Sequence, residues 1–222
     1  MAHNGNGKNH HTETPVHSRW PALAALLAVG GLYSAVPEHL AVGPNWLLPV
    51  IAGVLAVPIV ISHRAGKHDL NQWLSYLGLA TETAALVVSV VLLVLLLPAH
   101  RAAPVVLLRA AGALWLINVL VFALWYWRLD AGGPYYRELR TSHKRGAFWF
   151  PQMALPEGDC NRDPRWTPHF IDYLFLAFNT SAALSPTDSP VLARWAKVLM
   201  MLQALISLTI IAVLASRAVN IL

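Results

Sequence analysis

The sequence predicts an all-α membrane protein: a polytopic helix bundle with six spans, or with five spans plus a re-entrant helix. Hydrophobic residues fill 56% of its 222 positions. Charged residues fill only 12%, about half the share that soluble domains carry. The apolar residues also come in long blocks rather than at amphipathic spacing. Because a charge near the centre of a lipid-facing helix costs about 2.5–3.5 kcal/mol, these blocks are suited to a lipid bilayer, which is the expected partner.

The chain divides into four regions, beginning with a polar N-terminal tail, residues 1–18. The tail carries four His residues but no matching carboxylate or thiolate spacing, so we predict no metal site there. Its basic end and the apolar run that follows resemble a signal peptide only weakly. We therefore expect the first apolar block to be retained as a membrane helix.

Residues 19–128 form the predicted four-helix membrane region. The apolar blocks are residues 20–36, 46–61, a stretch of about twenty residues ending at Leu97, and 105–127. A polar hinge at 62–69 separates the second block from the third, and two prolines bound the tight connection at 98–104. At 1.5 Å per residue the longer blocks can cross a hydrocarbon core of about 30 Å, whereas the shorter two need snorkelling flanking residues or local thinning of the bilayer.

Residues 129–167 are predicted to form a polar connecting loop of nearly forty residues. A stretch of this length without periodicity is typical of a functional loop or of a partly disordered one. Its aromatic cluster Phe148-Trp149-Phe150 favours a piece lying at the membrane interface, where such rings concentrate. A plain solvated connector is the alternative interpretation.

Residues 168–222 are predicted to form a helix-turn-helix membrane region. A short helix at 170–184 is followed by a Pro-punctuated turn at 185–190 and a long apolar helix at 191–219. At about fifteen residues the first of these helices is short for a span. The sequence leaves open whether it crosses the bilayer or only dips into it, and hence whether there are six spans or five.

The basic residues predict the orientation, because cytoplasmic loops of inner-membrane proteins are enriched in Lys and Arg. Six spans with the N-terminus inside leave four basic residues towards the outer side: Arg101, Arg109, Arg194 and Lys197. We therefore expect a bacterial inner membrane protein with both ends in the cytoplasm. The formal charge of +5 comes from residues at block ends and in one loop rather than from a binding stripe, so no nucleic-acid partner is expected.

Polar residues at membrane depth are the candidate functional residues. Glu82 and Asn118 lie about 24 Å and 21 Å below the connection at 98–104 on neighbouring helices, so we expect them at one level. The triplet Asn179-Thr180-Ser181 and the turn residue Asp188 are the candidates for a polar path. No nucleophile–base arrangement, phosphate-binding loop or metal-ligand spacing is present in the sequence, so we predict no catalytic residues and no cofactor.

The C-terminal region resembles an uncharacterised bacterial inner-membrane family called domain of unknown function 1345. The resemblance is carried by the turn Ser185-Pro186-Thr187-Asp188, the run Met200-Met201-Leu202-Gln203, the ending Arg217-Ala218-Val219-Asn220-Ile221-Leu222, the Trp-Tyr-Trp-Arg end of the fourth block, and Phe150-Pro151-Gln152. It implies an inner-membrane location and no particular activity.

The same region is similar to the pore helix, filter and inner helix of potassium channels. Phe178, Thr180 and Asp188 stand where those channels place Phe, Thr and the Asp after the filter. Where they carry Thr-Val-Gly-Tyr-Gly, this chain has Ala183-Leu184-Ser185-Pro186-Thr187. Without the two glycines the backbone cannot adopt the filter conformation that aims carbonyl groups at the ion. The resemblance therefore implies a pore-like architecture without potassium selectivity.

Three classes of function follow from these observations. The first is a channel-like or transport protein, with a homo-oligomer left open, whose polar triplet lines a path. The second is a non-transporting scaffold or partner-binding protein that uses the charged loop at 129–167. The third, a membrane enzyme acting through Glu82 or Asp188, has the least support because neither residue has a recognisable catalytic partner. We favour the first and do not expect an enzyme.

Overall fold

In a computed structural model the described part of the chain consists of α-helices, short 3₁₀ turns and connecting segments. The described residues are 20–41, 43–44, 46–64, 68–95, 104–138, 146–156, 158–160, 163, 166–182 and 189–219. Within these ranges there are seven α-helices: α1 (Trp20–Tyr33), α2 (Leu47–Arg64), α3 (His68–Leu95), α4 (Pro104–Leu129), α5 (Pro134–Glu138), α6 (Phe170–Ala182) and α7 (Arg194–Val219).

Three of the helical segments are long and apolar enough to cross a membrane: Leu70–Leu95, Val105–Gly132 and Arg194–Ser216. A fourth apolar segment, Pro21–Tyr33, is shorter. These segments fit an all-helical membrane protein, as the sequence predicts. The number of crossings is a separate question, because α6 contains only 13 residues and is about 20 Å long.

Helix α4 is the centre of the bundle and packs against α1, α3, α6 and α7. Its side chains Leu114, Ile117 and Phe122 are fully buried, because neighbours cover it on several sides. The large apolar residues left exposed on α3 and α7 include Val91, Leu95, Leu205 and Leu208. On a membrane-length helix, exposed apolar side chains are suited to contact with lipid.

The helix boundaries differ from the predicted blocks mainly at polar positions. The predicted hinge at 62–69 is largely taken up by the helices on either side, since α2 runs to Arg64 and α3 begins at His68. A helix can continue through polar residues, because its i to i−4 backbone hydrogen bonds form whatever the polarity of the side chains, so hydropathy alone places helix ends too early. In contrast, the last helix begins three residues later than predicted, because Val191 pairs with Phe148 in an isolated antiparallel bridge.

Two of the three rings in the aromatic cluster at 148–150 are buried inside the bundle, and the position of the cluster at the membrane interface stays a prediction. Phe148 is fully buried and Phe150 is only 3% exposed, whereas Trp149 is 37% exposed. The Phe148 ring packs edge-on against Tyr126, Tyr173 and Trp195. Through Phe148, the segment between α5 and α6 packs into the bundle where α4, α6 and the start of α7 meet.

Helix α6 runs antiparallel to α4 and covers only part of its length. At its start, Phe170 packs edge-on against Trp127 near the end of α4. Near its end, Phe178 packs against Trp115, more than three helical turns earlier in α4. Helix α7 also begins beside the end of α4, where Trp195 contacts Phe148. Helices α6 and α7 thus start at the same end of the bundle and point the same way.

Candidate functional site: a buried polar cluster at the end of α6

A group of buried polar side chains lies where α4, α6 and α7 meet, and Gln203 of α7 is at its centre. The Gln203 amide is fully buried. Its Nε2 donates to the carbonyl oxygen of Ala177 and to Ser181 Oγ, both at 2.7 Å. Its Oε1 accepts a hydrogen bond from the Tyr126 hydroxyl. One side chain therefore connects three helices through polar contacts.

Asn118 of α4 joins the same cluster from the opposite side. Its Nδ2 lies 3.2 Å from the Gln203 carbonyl oxygen and 3.4 Å from Ser181 Oγ. Its Oδ1 is buried and has no hydrogen-bond partner among the described residues. A buried amide oxygen in this state costs free energy, so it is a ready acceptor for a water molecule or a ligand for a cation.

Ser207, one turn after Gln203 on α7, extends the cluster beyond the last turn of α6. Its hydroxyl donates to the carbonyl oxygen of Ser181, and it accepts a hydrogen bond from Trp115 Nε1 at 3.0 Å. Carbonyl groups in the last turn of a helix have no intrahelical partner and carry partial negative charge. The cluster thus partly satisfies the C-terminal end of a short helix inside the bundle.

The predicted polar triplet is split between two environments. Ser181 is 1% exposed and lies inside the cluster. Thr180 is half-buried and returns its hydroxyl to the carbonyl oxygen of Leu176 in its own helix. Asn179 is half-buried. Three consecutive residues on an α-helix spread over about 200° around its axis, so these side chains cannot all face one path. Asp188 lies outside the described residues.

Glu82 and Asn118 are both buried, at 5% and 0% exposure, but they have different neighbours. The polar contacts of Asn118 are on α6 and α7. Beside Glu82, the hydroxyl of Tyr33 on α1 donates to the Glu82 carbonyl oxygen at 3.3 Å. Equal depth on adjacent helices does not make two residues partners, since each can point to a different side.

A second polar group ties the connecting segment to the end of α4. The Asp130 carboxylate is fully buried and accepts hydrogen bonds from the Ala147 backbone N–H and, at 2.6 Å, from the Tyr173 hydroxyl. Arg137 donates to the carbonyl oxygens of Trp127 and Asp130, both at 2.8 Å. A cation at these last carbonyls suits the negative end of the helix dipole.

Tyr173 lies on α6, outside the three membrane-length segments. Burial raises its pKa well above the usual value, and the Asp130 carboxylate acts in the same direction against the opposing effect of Arg137. The hydroxyl therefore stays protonated and keeps donating to Asp130 across the physiological pH range.

Sequence reasoning missed Gln203, Tyr126, Asp130, Arg137 and Tyr173 as site residues. An amide inside a 26-residue apolar helix was the signal that could have marked Gln203, because a polar group at membrane depth needs a partner. Asp130 and Arg137 follow the fourth block in an apparently solvated loop. No local pattern distinguished them from the other charges there.

No protein-family model, no curated protein and no solved structure matches this chain. Its function is therefore inferred from its own geometry.

Proposed function

We propose that this chain is a channel-like, cation-conducting protein of a bacterial inner membrane, with five crossing helices, a re-entrant α6 and no potassium-type filter. The observation that carries the proposal is the end of α6, which stops part-way along α4 among Asn118, Ser181 and Gln203. Helix α6 is about 20 Å long, shorter than a core of about 30 Å. Because α1 is nearly as short, the distinction between the two helices comes from the path of the chain after α6 rather than from helix length.

The path of the chain supports a re-entrant α6. Tyr173, near the start of α6, contacts Asp130, and Trp195, near the start of α7, contacts Phe148 at the same end of the bundle. The connection from the end of α6 to the start of α7 must therefore return to the side from which α6 entered.

The charge distribution supports the same topology. With five crossings and a re-entrant α6, Arg194 and Lys197 at the start of α7 join the cytoplasmic side. All but three of the sixteen Lys and Arg residues then share a side with the N-terminus, the exceptions being Arg101, Arg109 and Arg217. Six spans leave four exceptions, so the five-span topology satisfies the positive-inside tendency slightly better.

A cation is the ligand that this geometry favours. The C-terminal end of α6 presents partial negative charge, and the unpartnered Asn118 Oδ1 lies in the same cluster. Discontinuous membrane helices use such ends and carbonyl groups to bind cations. Since Ala183-Leu184-Ser185-Pro186-Thr187 lacks the filter glycines, we expect weak discrimination between monovalent cations.

Ion flux into proteoliposomes tests this function. The wild-type protein is expected to carry K⁺ and Na⁺, and Asn179→Leu to lower the flux, because it removes a half-buried polar group from the last turn of α6. Phe175→Leu, on an exposed part of the same helix, is the matched control and should conduct like wild type. Absence of flux for the wild-type protein would reject conduction and favour the scaffold alternative.

A further inference from the structure

Helix α3 carries a row of three buried polar side chains that the polar cluster does not use. Ser75, Glu82 and Ser89 are 4%, 5% and 0% exposed and follow one another at intervals of seven residues. Seven residues are close to two helical turns, so the three side chains lie on one face of α3 at intervals of about 10.5 Å. This face is turned into the bundle, although much of the helix around it is apolar.

The Glu82 carboxyl group is buried without an ion pair or hydrogen bond to its Oε2 from any described residue. The ionisable group that faces it from α1 is Tyr33. Helix α2 contributes no ionisable group among its described side chains. On α4, the Tyr126 hydroxyl is bonded to Gln203 and Arg128 donates to Asn71, eleven residues before Glu82, while Arg109 is exposed. The 3₁₀ turn Glu38–Leu40 also packs against α3, and its Glu38 and His39 are exposed. On α7, the described cations are in the first turn. No described cation therefore compensates a charge on Glu82.

An ionised carboxylate in such a place is unfavourable because neither water nor a counter-ion stabilises the charge. The carboxyl group is therefore stable there in its neutral, protonated form. A neutral acid used only for packing would be expected to hydrogen-bond, as Gln203 does, since an unmade buried hydrogen bond destabilises the fold. An intramembrane acid left without a partner is instead suited to exchanging its proton.

Ser89 provides a second, independent observation on the same face. Its Oγ is buried and has no hydrogen-bond partner among the described residues, whereas Ser75 donates to the carbonyl oxygen of Asn71 at 2.7 Å. The unpartnered hydroxyl lies two turns from Glu82 towards the C-terminal end of α3. A water molecule bound there would bring an exchangeable proton closer to the carboxyl group from that end of the helix.

We propose that Glu82 is a reversible proton-binding site inside the helix bundle, reached from the C-terminal end of α3 by way of Ser89. The carboxyl group releases H⁺ to water as it becomes a carboxylate and takes H⁺ back as it becomes neutral, so charge and atoms balance without a co-reactant. This inference does not rest on cation conduction at α6. The proposed proton site is on α3, outside the polar cluster of α4, α6 and α7, and its ligand is a proton.

A hydrophobic carbodiimide tests the protonated state in the full-length protein. Dicyclohexylcarbodiimide adds a carboxylic acid O–H across one of its C=N bonds, and the resulting O-acylisourea rearranges to a stable N-acylurea. Mass spectrometry of the labelled protein should place the adduct on Glu82. Exposed Glu38 is the matched control and should react with a water-soluble carbodiimide and an amine, to which Glu82 should be inert. The proposal would be overturned if the water-soluble reagent labelled Glu82, or if neither reagent labelled it.

Infrared spectroscopy in H₂O and D₂O tests reversibility. We expect a carbonyl stretching band of a protonated carboxyl group that Glu82→Gln removes and Glu82→Asp retains at a shifted frequency. The wild-type band should move to lower frequency on transfer to D₂O, and Ser89→Ala should slow that shift. If Glu82→Gln fails to fold, the shifted band of Glu82→Asp still assigns the band to Glu82, and the slower D₂O shift of Ser89→Ala still tests the route of exchange. A band that never responds to D₂O would identify a sealed structural acid and contradict the proposal, whatever the ion flux of the same sample.

Discussion

At the scale of single residues, Gln203 holds α6 against α4 and α7 through its side-chain amide. Its amide uses both ends: Oε1 accepts from Tyr126, and Nε2 donates to Ala177 and Ser181. In the interior of a membrane bundle, a polar group that loses its hydrogen-bond partner has no bulk water to take the partner's place. The loss of one amide thus leaves several other groups unsatisfied.

Gln203→Leu is therefore expected to lower the free energy of unfolding by about 2 kcal/mol, within the range for a buried hydrogen-bonding group that loses its partner. Unfolding of the purified protein in mixed micelles with increasing denaturing detergent would measure it. Gln152→Leu, at an exposed position, is the matched control and should change the stability by less than about 0.5 kcal/mol. Equal effects of the two substitutions would show that the Gln203 contacts contribute little.

The turn after α4 depends on backbone conformation at Gly133. Its φ is +98°, and a Cβ atom there would lie 2.9 Å from the Arg128 carbonyl oxygen. The neighbouring Ala131 and Gly132 also have positive φ, at 52° and 86°. This reversal of the chain brings Arg137 back to the Trp127 carbonyl oxygen.

Gly133→Ala should thus destabilise the protein by about 2 kcal/mol through backbone strain and steric overlap. Thermal unfolding in detergent would show it as a lower Tm. Gly112→Ala, inside α4 with no atom within 4 Å of the added Cβ, serves as the control and should be neutral or slightly stabilising. A Tm for Gly133→Ala equal to that of wild type would mean that the turn relaxes without cost.

At the scale of helices, the number of membrane crossings depends on whether α6 spans the bilayer or re-enters on the same side. Its partners run from Trp127 near its start to Trp115 near its end, so it covers about half of α4. Cys160, the single cysteine of the chain, is exposed in the segment before α6. Leu192, just before α7, is 56% exposed. A re-entrant α6 puts these two positions on the same side of the membrane, whereas a spanning α6 separates them.

Thiol labelling with a membrane-impermeant maleimide distinguishes the two topologies. We expect native Cys160, and Leu192→Cys in a Cys160→Ser background, to be labelled in inside-out vesicles and protected in intact spheroplasts. His39→Cys, exposed in the connection between α1 and α2, should show the opposite pattern and so controls for vesicle orientation. Labelling of Leu192→Cys from the outside would establish six spans.

At the scale of the whole molecule, an odd number of crossings separates the two ends of the chain. In the proposed topology, helices α1 to α4 return the chain to the side of its N-terminus, α6 enters and leaves on that side, and α7 crosses once more. The C-terminus then faces the periplasm. This arrangement also puts the segment ordered by Asp130 and Arg137 on the cytoplasmic side, together with most of the basic residues.

Reporter fusions test the positions of the ends. Alkaline phosphatase fused after Leu222 should be active, because it folds only after export, and a fluorescent protein fused at the same place in an otherwise identical chain should be dark. A fluorescent protein fused before Met1 should fluoresce and controls for expression. An inactive phosphatase with a fluorescent C-terminal fusion would require an even number of crossings.

The sequence by itself determined the solvent and much of the helix order. The low charge and the long apolar blocks predict helices that are suited to lipid, and α3, α4 and α7 are long and apolar enough to cross. The approximate positions of the helices also follow, because hydropathy acts over many residues and is insensitive to a few polar ones. Glu82, Asn118 and Ser181 were predicted at membrane depth and are buried.

Only the tertiary structure decided which of these polar groups meet. Asn118 contacts Ser181 and Gln203 rather than Glu82, and the charged loop residues Asp130 and Arg137 are buried. The reason is physical: depth along a helix is a property of one segment, whereas direction around it depends on the helices packed against it. A hydrogen bond between helices depends on both, so a one-dimensional pattern identifies residues that need partners without identifying the partners.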